Sequence, residues 1–260
     1  MPNPKVGIAL GQGAARGIAN LGVLQILKEE NIPIDFVSGT SAGAVVGSLY
    51  AAGVDLRFLE RMLEQLDWLD LTSLTITRRG LISPDKIHSM LTMLTKDQNF
   101  EDLSIPVAVI ATDLITGEEI IIDKGSIADG VRASMSIPGV FVPVKSANRL
   151  LVDGALVNPV PADVCRKMGA DFVIAVDVGL GPLRSRIRNL PEVIIQTIDI
   201  LTRQVASNRR SVADITLKPD LGEITLTELN RSSEIIEKGR EIALANLDKI
   251  KKALDEHTSS

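Results

Sequence analysis

Residues 36–43 read FVSGTSAG and contain the pattern G-x-S-x-G, from Gly39 through Ser41 to Gly43. A short apolar run leads into this pattern and a helical pattern leaves it, which is the context of a strand, a tight turn and a helix. In such a turn the serine is held in a strained conformation that lifts its Oγ above the sheet, and glycines leave room where strand and helix pass closely. The stretch therefore predicts an α/β fold with Ser41 as a candidate nucleophile. The alternative is an ordinary turn in which Ser41 caps the helix.

The same alternation of β-rich runs and helical patterns extends over most of the chain, and it predicts strand-helix units wound into a mostly parallel central sheet. The strand segments are rich in Val, Ile and Ala, as expected for strands covered by helices on both faces. Strands are predicted at residues 5–10, 35–38, 107–112, 119–123, 150–152, 172–176 and 214–217. Helices are predicted at residues 15–29, 41–52, 56–69, 84–94, 126–133, 162–168, 191–208 and 233–254.

The length of 260 residues and the hydrophobic share of 45% predict one domain over residues 1–260 with a substantial core. Residues 55–100 are rich in predicted helix, which indicates an excursion over the sheet that could form a helical cap. Within it, the apolar face of residues 56–69 fits core packing by default, and covering the active site or dipping into lipid is the alternative. The polar tail 256–260 is predicted to be frayed.

Composition and charge argue against several classes of function. A net charge of -5, no long run of Lys or Arg and an aromatic share of 3% speak against nucleic acid as a partner. The single cysteine, Cys165, cannot form an internal disulfide and is expected to be a small buried residue, which favours a reducing, cytoplasmic compartment. Neither a signal peptide nor a transmembrane run is predicted, so any membrane contact is expected to be peripheral.

A second glycine-rich loop, GQGAARG from Gly11 to Gly17, follows the first predicted strand and opens the first helix. The dinucleotide-binding fingerprint G-x-G-x-x-G fails here because Arg16 stands where the third glycine would pack helix against strand. The backbone N–H groups of such a loop form a nest suited to a phosphate or to the oxyanion of an acyl-transfer intermediate, and a nearby Ser41 favours the oxyanion. The alternative is that its small residues only permit a tight turn.

A catalytic serine needs a base, and the chain has only two histidines to offer. His257 lies in the polar tail and His88 in an amphipathic helix pattern, so a Ser-His-Asp triad is disfavoured. A carboxylate acting directly on the serine is the remaining common choice. Asp153 follows a predicted buried strand at a tight turn, where burial raises the pKa of a carboxyl group. Asp113 and Asp177 also end strands, but they fit turn capping better.

Four blocks of the sequence together resemble the patatin-like phospholipase family. They are Gly11–Gly17, Gly39–Gly43, the run RASMSIPGVFVP from Arg132 to Pro143, and DGA from Asp153 to Ala155, in the family's order. The resemblance implies a three-layer α/β/α fold with a central, mostly parallel sheet. It also implies hydrolysis of lipid carboxylic esters, of the phospholipase A or lysophospholipase type. The alternative is a regulatory or adaptor protein of the same fold that binds lipid or a protein partner with little turnover.

The resemblance further implies roles for single residues. Ser41 would be the nucleophile and Asp153 the base of a Ser-Asp dyad that needs no histidine, metal or cofactor. The N–H groups of Gly13 and Ala14 would form the oxyanion hole. The supporting motif residues are Gly11, Ala15, Arg16, Gly17, Gly39, Gly43 and Gly154.

The glycine-rich loop departs from the family's usual G-G-G-x-R-G at two positions, Gln12 and Ala14. Ala14 keeps its N–H group but loses some of the backbone freedom of glycine. Arg16 matches the family's basic position, and it would hold the loop or attract an anionic head group.

Overall fold

The computed structural model describes residues 4–65, 73–77, 80–83, 85–179, 181, 183, 187, 190–209 and 211–259. Its strands are β1 (Val6–Leu10), β2 (Phe36–Thr40), β3 (Ser73–Thr77), β4 (Gly80–Ser83), β5 (Val107–Asp113), β6 (Glu119–Ile122), β7 (Val144–Ser146), β8 (Arg149–Asp153), β9 (Phe172–Val176) and β10 (Ile215–Leu217). Its α-helices are α1 (Ala19–Glu29), α2 (Ala42–Ala51), α3 (Leu56–Glu64), α4 (Asp85–Leu94), α5 (Ile127–Ser134), α6 (Ala162–Met168), α7 (Leu190–Asn208), α8 (Ser232–Ala245) and α9 (Leu247–Ser259). Short 3₁₀-helices lie at Ala14–Ile18, Phe100–Asp102, Gly154–Leu156 and Leu229–Arg231.

Eight of the described strands form one sheet in the order β10-β9-β1-β2-β5-β8-β7, with β6 also paired to β5. The five strands from β10 to β5 run parallel to one another, whereas β6, β7 and β8 are antiparallel to the strands they pair with. Strands β1, β5 and β9 are buried along their whole length, in keeping with their content of Val, Ile and Ala. The predicted central, mostly parallel sheet is confirmed.

Helices cover both faces of this sheet because successive side chains of a strand point to opposite sides. In β1, Ile8 and Leu10 belong to the largest hydrophobic cluster, on the face where α2 packs with α1 and α8 beside it. Ala9 belongs to a second cluster on the other face, with Cys165 of α6. Cys165 is fully buried, as predicted, and burial raises the pKa of its thiol to about 11. The result is the expected three-layer α/β/α arrangement.

Most elements lie within a few residues of their predicted bounds, and the exceptions are informative. Residues 55–100 contain the antiparallel hairpin β3–β4 in addition to helices, because residues 73–77 read SLTIT, a run that favours strand. The short strand β7 was not predicted either. The predicted helices at 56–69 and 84–94 are present as α3 and α4, but residues 66–69 and 84 lie outside the described residues.

The C-terminal region also differs from expectation. The single helix predicted for residues 233–254 is two helices, α8 and α9, with a break at Asn246. The tail is helical through Ser259 rather than frayed, because the His257 ring packs edge-on against Phe172 with 5.3 Å between ring centroids. No helix in the described part of the chain is long and apolar enough to cross a membrane.

Candidate active site

Ser41 occupies a sharp turn between β2 and α2, at the carboxyl end of the parallel strands. Its backbone angles, φ 55° and ψ -119°, form a combination that non-glycine residues rarely adopt. Its N–H donates to the Oγ of Ser134 at 2.9 Å, so helix α5 holds the strained turn in place. Gly43 permits the close approach of helix to sheet, since a Cβ there would collide with the carbonyl oxygen of Leu10. This is the strand-turn-helix geometry that the G-x-S-x-G pattern predicts, and a Cβ on Gly39 would likewise lie 2.6 Å from the helix backbone.

Asp153 meets Ser41 on one edge of strand β5. Strand β2 pairs with residues 107–110 of β5, β8 with residues 111–113, and β6 with residues 109–112. Because the β6 pairing overlaps both of the others, β6 takes the opposite edge, and β2 and β8 follow one another along the same edge. Thr40 lies beside Ile110 and Asp153 beside the next residue, Ala111, so the ends of β2 and β8 are adjacent. The Ser41 hydroxyl donates to Oδ2 of Asp153 at 2.8 Å.

The Asp153 carboxylate lies in an enclosed environment, with only 5% of the residue exposed. Its Oδ1 accepts the backbone N–H of Ala155 at 2.9 Å. Gly154 lets the chain bend over β5, because a Cβ there would collide with the carbonyl oxygen of Ile110. Burial raises the pKa of Asp153 to about 6, against the opposing effect of the hydrogen bonds from Ala155 and Ser41. The carboxylate is thus mostly ionised at neutral pH and more basic than an exposed aspartate.

The glycine-rich loop lies beside the serine, and its conformation leaves two backbone donors unused. Gly13 has φ 161° and ψ 12°, and Ala14 is left-handed, with φ 47°. Within the described part of the chain, neither N–H group has a hydrogen-bond acceptor, whereas the next one, of Ala15, donates to Leu226. Ala14 and Ser41 line the same two cavities. The loop at Ala14 therefore borders the same space as the serine.

Arg16 and Asn20 hold this loop from below. The Arg16 side chain is buried, and its guanidinium donates to the main-chain carbonyls of Val178 at 3.0 Å, Gly222 at 3.3 Å and Ile224 at 2.7 Å. Asn20 donates to the carbonyls at both ends of the loop, at 3.0 and 2.9 Å. Of the two roles predicted for Arg16, these contacts match holding the loop rather than attracting an anionic head group.

Two cavities meet at Ser41. The first, named the apolar cavity here, has a volume of about 130 Å³ and receives hydrophobic side chains from α2, α3 and α4. Its described lining is Ala14, Ile18, Leu21, Ser41, Ala42, Val45, Val46, Leu49, Leu59, Met62, Leu63, Ile87, Met90, Met135, Ile137, Phe141 and Leu229. The second cavity, of about 80 Å³, extends from Asp153 towards Ile195 and Ile198 of α7. Helices of the 55–100 segment therefore form part of the wall around the serine.

Neither histidine approaches the serine. The Nε2 of His88 lies 2.9 Å from a carboxylate oxygen of Asp129. The corresponding atom of His257 lies 3.8 Å from Asp214, on the face occupied by α9. Both rings are partly exposed, and both have an acid other than Asp153 as neighbour. The site around Ser41 thus holds a carboxylate and no imidazole.

The other strand-end aspartates serve as turn caps and ion-pair partners, as the sequence favours. Asp113 accepts a backbone N–H of its own turn and pairs with Arg149 at 3.2 Å. Asp177 does the same with the N–H of Gly179 and with Lys218. Neither contacts Ser41.

Several polar residues that hold the site were missed from the sequence. Ser134 accepts the N–H of Ser41, Thr112 donates its hydroxyl to the carbonyl of Asp153 at 2.8 Å, and the carbonyl of Ser136 accepts the N–H of Asp153 at 2.9 Å. Ser134 and Ser136 stand in the run RASMSIPGVFVP, so membership of that block was their only signal. Nothing local in the sequence marks Thr112.

Residues 8–166 match the sequence profile of the patatin-like phospholipase family, which is more than half of the chain. The chain belongs to this family. Patatin-like phospholipase domain-containing protein 7 of Mus musculus is 35% identical to this chain over 184 residues. The match covers 67% of this chain and 14% of the mouse protein. An uncharacterized NTE family protein of Mycobacterium tuberculosis is 35% identical over 210 residues, or 79% of this chain and 57% of that protein.

This patatin-like chain thus spans little more than half the length of the mycobacterial relative and a much smaller part of the mouse protein. Among solved structures, VipD from Legionella pneumophila superimposes with a TM-score of 0.68 at 16% sequence identity, covering 95% of this chain and 67% of VipD. At that identity the likeness concerns the fold. All four motif blocks of the patatin-like family lie within the profile match.

Proposed function

We propose that the protein is a serine acyl hydrolase that cleaves carboxylic esters of lipids, of the phospholipase A or lysophospholipase type, through a Ser-Asp dyad. The observation that carries this proposal is the buried 2.8 Å hydrogen bond from Ser41 to Asp153, made by a serine on a strained turn. Membership of the patatin-like phospholipase family supports the choice of ester as substrate.

Acylation begins when Oγ of Ser41 attacks the carbonyl carbon of the ester. Oδ2 of Asp153, already the acceptor of the serine hydroxyl, takes the proton in the same step. A carboxyl with a pKa of about 6 suits this role, since it is ionised at neutral pH and still a better proton acceptor than an exposed aspartate. When the tetrahedral intermediate collapses, the protonated Asp153 returns its proton to the departing alcohol.

Deacylation repeats these steps with water as the nucleophile. Asp153 takes a proton from the water as it attacks the acyl-enzyme, and then returns that proton to Oγ of Ser41 while the fatty acid leaves. In both halves the carbonyl oxygen becomes an oxyanion, which the N–H groups of Gly13 and Ala14, without an acceptor among the described residues, would bind. The dipole of α2 adds to this stabilisation because its N-terminus favours negative charge beside Ser41.

The apolar cavity accounts for a lipid substrate. Apart from the serine, its described lining consists of aliphatic, Met and Phe side chains, which suit an alkyl chain and offer few partners to a polar group. The second cavity reaches the same serine from the Asp153 side and would take the alcohol portion. An ester could therefore span the site with its carbonyl at Ser41.

The test combines active-site labelling with a pH profile. A fluorophosphonate probe should label Ser41, located by peptide mass spectrometry, because such probes react with an activated serine in a formed oxyanion hole. Acylation by a p-nitrophenyl ester should rise about tenfold per pH unit below pH 6 and level off above it, since only the ionised form of Asp153 accepts the proton.

Two results would contradict the proposal. One is a folded protein that neither reacts with the probe nor hydrolyses esters, which would favour a lipid-binding adaptor of the same fold. The other is a pH profile set by an imidazole, recognised because His88→Ala or His257→Ala shifts or abolishes it.

A further inference from the structure

Helix α2 lines the apolar cavity along its whole length. The contributing positions are Ala42, Val45, Val46 and Leu49. They follow the spacing i, i+3, i+4, i+7, so they form one stripe on the helix surface. Ser41 stands at the N-terminal end of that stripe. The cavity therefore begins at the serine and follows the helix axis away from it.

The helix geometry gives this cavity a length. Each residue advances about 1.5 Å along an α-helix, so Val45 lies about 6 Å and Leu49 about 12 Å from Ser41 along the axis. An extended alkyl chain with carbon–carbon bonds of about 1.5 Å at about 111° advances about 1.25 Å per carbon. The distance to Leu49 thus corresponds to about ten carbons, and the distance to Val45 to about five.

The lining along α2 ends at Leu49, since the next positions of the same face, Ala52 and Gly53, do not border the cavity. Leu49 and Leu59 are 3% and 2% exposed, which means that well-packed protein surrounds them. Met62, Leu63 and Met90, which line the same cavity from α3 and α4, are only partly buried. An alkyl chain lying along α2 would accordingly meet a closed end at Leu49.

Given the acyl hydrolase activity proposed above, on which this inference rests, we propose that Leu49 sets an upper limit of about ten carbons on the acyl chain. Val45 and Leu49 would then act as marks on a ruler whose origin is Oγ of Ser41. Neither residue touches the reacting atoms, so both determine specificity rather than catalysis.

The first experiment measures kcat/KM for p-nitrophenyl esters of about four to sixteen carbons. Wild type should be most active near ten carbons and at least about tenfold less active at fourteen, because one excess methylene in a closed pocket already costs about tenfold or more. Leu49→Ala should raise the ratio of fourteen-carbon to ten-carbon activity at least about tenfold. Leu24→Ala, an equal truncation of a buried residue outside the cavity, should leave that ratio within about twofold of wild type.

Substitution by a bulkier side chain tests the same length limit without creating a new cavity. Val45→Phe should lower the ratio of ten-carbon to four-carbon activity at least about tenfold, because it moves the closed end towards Ser41. A chain-length profile that is the same in wild type, Leu49→Ala and Val45→Phe would overturn the ruler while leaving ester hydrolysis established.

A second experiment separates the ruler from catalysis. In Ser41→Ala, binding of free unbranched fatty acids, followed by the rise in Tm, should increase up to about ten carbons and then fall. Leu49→Ala in the same background should extend the limit. If binding instead strengthens steadily to sixteen carbons in both proteins, Leu49 is not a limit. This readout stands even if wild type hydrolyses no ester.

Discussion

The turns at residues 11–17 and 39–43 follow neighbouring parallel strands, β1 and β2, and each opens a helix. Each also forces one non-glycine residue into positive φ: Ala14 at 47° and Ser41 at 55°. The two turns pack so closely that a Cβ on Gly17 would collide with the Cβ of Ala42. The two turns nevertheless present different groups to the site. The turn at Ser41 has its N–H bound by Ser134 and presents a side chain, whereas the turn at Ala14 presents backbone donors without a described acceptor.

This difference shows how the same kind of strained turn can position the nucleophile in one place and the donors for the oxyanion in another. A strained turn whose N–H is satisfied from outside fixes the nucleophile, as at Ser41. A strained turn whose N–H group has no described acceptor can donate to the oxyanion that forms during the reaction, as at Ala14. The cost of each, on the order of 1–3 kcal/mol, is borne by the packing around it.

The largest effect is expected at the turn that presents a side chain. Ser41→Ala should lower kcat by about 10⁴ to 10⁶ and abolish probe labelling, because no other group can carry the acyl chain. Ser48→Ala is the matched control on the same helix: this buried hydroxyl has no described partner and lines neither cavity at Ser41. Substantial hydrolysis by the pure, folded Ser41 variant would refute the assignment.

Asp153→Asn should lower kcat about 10³- to 10⁴-fold and at the same time stabilise the protein. Because burial raises the folded pKa to about 6 from 3.8, Asp153 destabilises the fold as pH rises from about 4 to 6, and the penalty is complete above that. Two pKa units correspond to about 3 kcal/mol, so denaturant unfolding should show a gain of up to about this size at pH 8.

The same comparison at pH 4 should show a gain of only about 0.5 kcal/mol, because the folded carboxyl is then protonated and the unfolded one, with its pKa of 3.8, is little more than half ionised. His88→Ala and His257→Ala should leave kcat within about threefold of wild type, and a larger loss in either would argue for a triad. An Asp153→Asn protein that is less stable at pH 8 than wild type would mean that the carboxylate is better stabilised than its burial indicates.

The turn that presents backbone donors should respond to displacement. A Cβ on Gly13 would lie 2.5 Å from Cγ2 of Val178, so Gly13→Ala should push the loop away from Ser41. Losing one oxyanion donor costs about 10² to 10³ in rate, and pre-steady-state acylation should fall by about that much. Val178→Ala removes the colliding methyl groups, and the double variant should recover at least about tenfold. Normal acylation in Gly13→Ala would place the oxyanion hole elsewhere.

The smallest effect concerns the strain itself. Ala14→Gly should raise the free energy of unfolding by less than about 1 kcal/mol, because glycine relieves the left-handed strain but adds entropy to the unfolded chain. Ala15→Gly, at a neighbouring residue without positive φ, should instead lower it by about 0.5–1 kcal/mol. Equal losses in both variants would show that φ at Ala14 carries no strain. Acylation should persist in Ala14→Gly, since the N–H group remains.

Sequence patterns over a few residues predicted the α/β fold, the central sheet, the strained turn at Ser41 and the tight glycine-rich turn at residues 11–17, because each depends on contacts between near neighbours in the chain. The count of histidines and the strand-end position of Asp153 made a carboxylate partner for Ser41 a sound hypothesis. Antiparallel β7 and the β3–β4 hairpin were not predicted, because strands this short contain too few residues to show the alternation of apolar and polar side chains.

By itself, then, the sequence determined which residues stand in tight turns and which fold class they belong to. Only the tertiary structure decided that β2 and β8 pair with successive residues along the same edge of β5, which brings Ser41 to 2.8 Å from a carboxylate 112 residues away. It also decided that the Arg16 guanidinium donates to main-chain carbonyls some 160 to 210 residues away in the sequence, and that α2 forms one wall of the apolar cavity. Such contacts depend on strand order and on which faces of elements meet, and no pattern along the chain encodes them directly.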